Sequence, residues 1–393
     1  MSFPARPTLL LFAHERGDAR VRKRLQAFLD LGWRVVGLTF HRQRTGRDPE
    51  IFWENIHLGT TYDRRYLQRL MAILRGMLTL WKNRALFDEA TVLYAINADN
   101  GWLALIGRWM AGRKTPLAVE IADIQPPMLG HGAKARVMRL FERLVLDRTD
   151  WLVTTSPGFV RHYFEPLQPF RGATVLLENR VYPSPAVVAA RNRTPEVAPP
   201  TDDGPWIVGY FGALRCQRSW DAIRQLAREL DGRVRFLLRG YPTALSAEAF
   251  QRDLADSPNV EFGGRYTYPD DLPTLYGTVH FSWCFDFSDA GANSRWLLPN
   301  RIYEGGLFRV PALAAAETET GRWVAERGAG WTFETGDAWL TSMAGFFRSL
   351  SPAEWHATRQ TLHALPDAIF TGEADYHALS RRLQNASRDE AIR

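Results

Sequence analysis

Short apolar runs alternate with amphipathic stretches along nearly the whole chain, and this alternation predicts its elements. Thr8 to Ala13 is a compact apolar run, read as a buried strand of a parallel sheet. Val21, Leu25, Phe28 and Leu29 then recur at helical spacing, Gly32 ends that helix, and Trp33 to Phe40 is a second strand. The result is a βαβ unit. Tyr62 to Phe87 carries a helix pattern through Leu67, Leu70, Leu74, Leu78 and Trp81. Strands follow at Thr91 to Ile96, Leu117 to Ile121 and Trp151 to Thr155, with helices through Met110 and from Lys134 to Leu146. Pro183 to Pro205 has no apolar period and reads as a hinge. The alternation then restarts with strands at Trp206 to Leu214, Val234 to Arg239, Val279 to Trp283 and Val310 to Ala315. Helix patterns from Asp337 to Leu350 and Pro352 to Leu365 precede a polar, basic end. The predicted plan is α/β in two domains, 1–182 and 206–365, with a linker at 183–205 and a tail at 366–393.

Composition narrows this picture. A chain of 393 residues accommodates two cores, and 46% hydrophobic with 23% charged residues is a globular balance. Cys216 and Cys284 provide no disulfide framework or metal pattern, so a reducing, cytoplasmic setting is expected. No uncharged apolar stretch is long enough to span a bilayer, and the N-terminal apolar run is read as a first strand rather than a signal peptide. The net charge of +6 points to an anionic membrane surface and phosphate-bearing substrates. Nucleic acid is disfavoured, since the arginines form no zinc-finger, RRM or KH pattern. The helices at 62–87 and 134–146 are basic and amphipathic. They suit either an anionic membrane or ordinary packing with a solvated face.

Candidate chemistry gathers in the second domain at Pro299-Asn300-Arg301-Ile302-Tyr303-Glu304. Asn300 suits a helix cap. Arg301 and Glu304, three apart, share a helix face. An Arg beside helix-terminal N–H groups suits a diphosphate, and a carboxylate one turn on suits two ribose hydroxyls. A surface ion pair fits the same spacing. Upstream, the strand ending at Gly212 runs into Arg215 and Arg218 before a helix, a phosphate cradle. The loop from Cys284 to Trp296 carries Asp286, Asp289, Asn293, Ser294 and Arg295, which the family resemblance given below assigns to a donor sugar.

In the first domain His14, Asp18 and Arg20 follow the first strand, where open α/β sheets bind ligands. A capped helix start with solvated charges is the other reading. Asn97 and Asp99 follow a later strand in the same way. Asp123, just past the strand at Leu117 to Ile121, could take a proton from an acceptor hydroxyl or cap a helix. Glu120 competes with it.

These motifs, in order along the chain, resemble GT-B glycosyltransferases, especially the family 4-like bacterial sugar transferases. The resemblance is to the P-(N/S)-K-x-x-E-x-x-x-x-G-x-P-V block at 299–312, where Phe308-Arg309 replaces the usual small Gly, the V-S-P turn at Ser156-Pro157, and the N-V-x-F-x-G segment at Asn259 to Gly264. It implies two Rossmann-like doubly wound domains facing across a cleft. It also implies that Arg218 and Arg301 stand where a phosphate-facing Lys is usual, that Glu304 binds ribose, and that Tyr303 belongs to the donor site. Trp296 replaces the upstream Glu of the family's E-x7-E pair. The implied activity is transfer of a sugar from a nucleotide diphosphate, probably UDP, to a lipid-linked or polysaccharide acceptor in exopolysaccharide or envelope assembly. It would proceed with no cofactor or metal, at the inner face of the cell membrane. Competing expectations are a sugar-nucleotide 2-epimerase of the same fold and a non-catalytic partner subunit.

Overall fold

In the computed structural model, residues 6–42, 50–61, 66–194, 197–200, 204–243, 246–289 and 291–392 are described. Residues 62–65, the start of the expected helix at 62–87, lie outside the described residues, as do the side chains of 61–73. The chain divides into two units, one of residues 1–178 with 373–393, the other of residues 179–372.

The first unit is built on seven parallel strands: β1 (Thr8–Ala13), β2 (Arg34–Arg42), β3 (Glu54–Thr61), β4 (Val92–Ile96), β5 (Leu117–Ile121), β6 (Trp151–Thr154) and β7 (Ala173–Leu176). Their order is β3-β2-β1-β4-β5-β6-β7. Burial of Leu9, Leu10, Leu11 and Phe12 explains the unbroken apolar run of β1, which is covered on both faces. Strand order reverses between β1 and β4, and that switch opens a crevice at the strands' carboxyl ends. Helix Ala19–Asp30 leaves the crevice on one side of β1 and helix Ala98–Met110 on the other. Right-handed crossovers running in opposite directions put these two helices on opposite faces of the sheet. The C-terminal helix Glu373–Ile392 packs against Ala19–Asp30, where Trp33 Nε1 donates to Ser380 Oγ at 2.8 Å.

The second unit repeats the plan with β8 (Trp206–Leu214), β9 (Val234–Pro242), β10 (Val260–Phe262), β11 (Phe281–Trp283), β12 (Ala312–Ala315) and β13 (Gly330–Phe333), ordered β10-β9-β8-β11-β12-β13 and all parallel. Its switch point lies between β8 and β11. Phe236, Phe281, Trp283 and Trp355 dominate one core, and Tyr276, Tyr303 and Phe308 a second. Inside the stretch expected as linker, residues 185–193 form a helix capped by Ser184 with Pro185 at its first turn. Val181 pairs with Thr371, so the segments that begin and end this unit are hydrogen-bonded to each other.

Candidate functional site

At the switch of the second unit, two glycines face each other near the carboxyl ends of β8 and β9. Gly212 has φ +124° and Gly240 φ +138°, backbone that L side chains rarely adopt. A Cβ on Gly240 would fall 1.8 Å from the Gly212 carbonyl oxygen. This bare strand end lets Arg301 close in: Nη1 lies 3.4 Å from the Phe211 carbonyl, and the guanidinium sits 4.9 Å from the Tyr210 ring centroid. Its Nε is buried and accepted by no hydrogen-bond partner. Burial opposes the Arg301 charge, but Tyr210, Cys284 and the Asp286 carboxylate leave it more basic than an ordinary guanidinium. Burial, countered in part by Arg301, pushes the Tyr210 phenol up to about 12.

Arg301 projects from helix Asn300–Leu307. The expected Asn300 cap is corrected: Pro299 holds the N-cap position and no side chain caps the helix. Proline's extended ψ of 152° starts the helix one residue earlier, which leaves its first N–H groups without a side-chain acceptor. Glu304, one turn on, is 2% exposed and accepts from Tyr276 Oη at 3.1 Å. Burial and the Glu304 charge push the phenols of Tyr276 and Tyr266 upward. Tyr303, expected at the donor site, is fully buried and packs edge-on to Trp323, with ring centroids 5.5 Å apart. Its position beside Glu304 turns it to the core side of the helix.

The cradle arginines separate. Arg215 joins the Arg301 group, with Nη2 2.8 Å from Asp286 Oδ2. Burial raises the Asp286 pKa, but Arg215, the Ser288 N–H and Arg301 outweigh it and hold the carboxyl ionised. Arg218, the expected phosphate arm, instead lies 4.3 Å over the Phe287 ring and donates to the Thr335 carbonyl at 2.8 Å. There it lines a pocket of about 600 Å³ with Arg215 and Trp339. The loop expected to face the sugar is knit by its own carboxylates. Asp286 also accepts from Ser294 Oγ at 3.1 Å, and Asp289 accepts from the Asn293 N–H at 3.2 Å. Asn293 is buried and Arg295 exposed.

At the switch of the first unit, Asp18 is the N-cap of helix Ala19–Asp30, accepting from the Arg20 N–H at 2.8 Å. Burial raises its pKa, but the charges of Arg20 and His14 and the cap bonds bring it below the usual carboxylate value. Arg20 lies between Asp18, Glu120 and Asp123, and despite burial these carboxylates raise its basicity. Glu120 is corrected as a candidate base. It is fully buried, bonded at 3.0 Å to both Nε and Nη2 of Arg24 and accepting from Tyr94 Oη at 2.6 Å. Arg24 in turn bonds Tyr376 of the C-terminal helix. Asp123 is exposed, two residues past β5. Asn97, past β4, has φ +71° and ψ 158°, strained for a non-glycine residue. Asp99 is exposed on the following turn and accepts from the Asn100 N–H at 3.0 Å.

Sequence reasoning missed Tyr210, Tyr266 and Tyr276 around Arg301 and Glu304. Tyr276 comes from a segment 28 positions upstream of Glu304, and nothing in its spacing signals the bond. Among the described residues no group of three or more His, Cys, Asp or Glu side chains is placed to hold a metal ion.

Residues 18–180 match the glycosyl transferase 4-like domain. The fold matches sucrose-phosphate synthase from Thermosynechococcus elongatus with a TM-score of 0.69 at 17% identity, over 97% of this chain and 99% of that one. It matches Anabaena HepE in complex with UDP and glucose with a TM-score of 0.63 at 16% identity, over 95% and 98%. The chain is 34% identical over 379 residues to the succinoglycan biosynthesis protein ExoL of Rhizobium meliloti (strain 1021), covering 95% of this chain and 93% of that protein. The chain therefore belongs to the glycosyl transferase 4-like family and is a glycosyltransferase of GT-B fold. Within that class, its similarity to ExoL makes it one of the bacterial exopolysaccharide type.

Proposed function

We propose that the protein transfers a glycosyl group from a UDP-sugar to a lipid-linked saccharide, at the inner face of the membrane, in exopolysaccharide assembly. The observation that carries the donor half is Arg301: a buried guanidinium with an unused Nε–H, beside a glycine strand end and an uncapped helix start. The guanidinium and the helix's first N–H groups present donors where a diphosphate would supply acceptors, and the glycines leave room for it. Arg215 adds a second guanidinium through Asp286. Glu304, held by Tyr276 at 3.1 Å, meets the ribose hydroxyls. The neighbour HepE is described with UDP and glucose, which favours uridine over guanosine.

In the first unit Asp123 accepts the acceptor hydroxyl's proton as the new glycosidic bond forms and the bond to the leaving diphosphate breaks. Arg301, Arg215 and the helix N–H groups take up the charge that develops on the diphosphate. With Asp123 as the base, displacement inverts the anomeric centre. Membrane attachment is peripheral. It is supported by the basic amphipathic helices and by the lack of any helix, among the described residues, long and apolar enough to cross a membrane.

The test is a melting screen against UDP- and GDP-sugars, since a ligand that binds only the folded state raises its melting point. UDP-sugars should stabilise and GDP-sugars should not. Equal or absent stabilisation by both would remove the donor assignment.

A further inference from the structure

Helices Tyr66–Lys82, Ala98–Met110 and Ala133–Leu146 form one layer of the first unit, the middle helix touching both neighbours. Their inner sides close the core. Their outer sides should be polar, yet Leu78, Trp81, Trp109, Val137, Leu140 and Phe141 are all exposed, Trp109 by 79%. Among the described residues the second unit exposes Val188 alone of its large apolar side chains. Exposed apolar side chains gathered on one helix layer mark an interaction site.

The layer also holds a groove of about 550 Å³ between helices Ala98–Met110 and Ala133–Leu146. Trp102, Leu105, Ile106, Trp109 and Leu144 form its walls. Trp102 Nε1 donates to the Phe141 carbonyl at 3.2 Å, which fixes one wall to the other helix. The charged lining residues are all cations: Arg108, Arg113, Lys114 and Arg148. Arg108 is held by the Thr115 carbonyl at 2.9 Å, and Arg113 by the exposed Asp88 at 2.7 Å. Arg148, just past the end of helix Ala133–Leu146, donates to the Leu144 carbonyl at 2.8 Å, and Lys114 is exposed. On the neighbouring helix Arg84 lies 5.2 Å over the exposed Trp81 ring. A bilayer interface has the matching composition, with phosphates above hydrocarbon and a layer that favours indole between them.

We propose that this groove binds the phosphodiester headgroup and upper acyl chain of an anionic phospholipid, and that the apolar ridge around it seats the first unit on the bilayer. The inference rests on the peripheral-membrane reading above and adds a specific site to it. Trp109 and the first acyl methylenes bury each other, while Lys114 and Arg148 receive the phosphate.

Flotation with vesicles tests this, using phosphatidylcholine alone and phosphatidylcholine doped with phosphatidylglycerol. The full chain should float only with the doped vesicles. Near an anionic surface each basic residue strengthens binding by about fivefold, so Lys114→Gln with Arg148→Gln should weaken it by roughly 25-fold. Trp109→Ser should weaken it at least about tenfold. Both variants should keep the wild-type melting point and the wild-type response to UDP, which shows that they fold. If they float like wild type, the groove is overturned while peripheral attachment stands. If wild type floats with neither vesicle, both are overturned. If only vesicles carrying a polyprenyl phosphate recruit it through Trp109, the phospholipid assignment is overturned in favour of the acceptor's carrier.

Discussion

Replacing Arg301 with Met should separate stability from donor binding. In the free protein this guanidinium has a buried Nε–H without an acceptor, a long bond of 3.4 Å from Nη1 to the Phe211 carbonyl, and a contact with the Cys284 thiol. A buried donor left unmade costs about 1–3 kcal/mol, and Met removes that cost. Met also loses the stacking over Tyr210, worth about 0.5–2 kcal/mol. The two nearly cancel, so the ligand-free variant should melt within about 4 °C of wild type, at roughly 2–4 °C per kcal/mol for a unit of this size. UDP binding should respond very differently. A charge-assisted bond from a guanidinium that is already dehydrated contributes about 1.5–3 kcal/mol, so Kd should rise by roughly 10- to 150-fold. Arg301→Lys keeps the charge without the fork and should fall between the two. Calorimetric titration with UDP, paired with melting of the free proteins, reads both quantities. A Met variant that melts far below wild type and still binds UDP normally would make Arg301 a structural residue, and the donor assignment would fail.

Three further outcomes are expected. Asp123→Asn should abolish transfer while UDP titrates as in wild type, and retained turnover would remove Asp123 from the chemistry. Gly240→Ala forces a Cβ to 1.8 Å from the Gly212 carbonyl oxygen at φ +138°, and should destabilise the second unit by about 2–4 kcal/mol and weaken UDP binding; an unchanged melt would show that the strand ends splay freely. Glu120→Gln leaves the Arg24 charge buried and should destabilise the first unit by about 3–5 kcal/mol. Burial raises the Glu120 pKa, but Arg24, its hydrogen bonds and Arg20 bring it below the ordinary 4.5. Its contribution is therefore full above the unfolded value and lost as pH falls through the folded one. Wild type should show an acid limb of stability in that window, and an equally steep limb in the Gln variant would refute the assignment.

The fold was legible because the central strands, such as Thr8–Ala13, Val92–Ile96 and Leu117–Ile121, are buried on both faces. Leu9 to Phe12 carries no polar interruption, and the polar turn after each such run sits at a strand's carboxyl end. The spacing of Arg301 and Glu304 was legible for the same local reason. What stayed hidden depends on distant partners. Arg215 and Arg218 look equivalent in sequence, and only Phe287 and Trp339, brought in by other elements, draw Arg218 aside. Asn300 looked like a cap because its side chain suits one, but Pro299 moved the helix start by one position. Asp123 and Glu120 could not be ranked until Arg24 was seen to engage one of them. Trp109 satisfies a helical apolar pattern whether it faces in or out, so periodicity could not reveal the exposed ridge.

The bond between Arg24 and Tyr376 spans 352 positions of chain, and the whole second unit is synthesised in between. At roughly 5–20 residues per second, the stretch from residue 178 to residue 373 keeps the first unit waiting about 10–40 s on the ribosome for its last helix. Through that interval Arg24 lacks its bond to Tyr376, and Trp33 Nε1 lacks its acceptor on Ser380. A truncated piece ending near residue 178 would stay in that unfinished state, so this half of the enzyme matures last although it is made first.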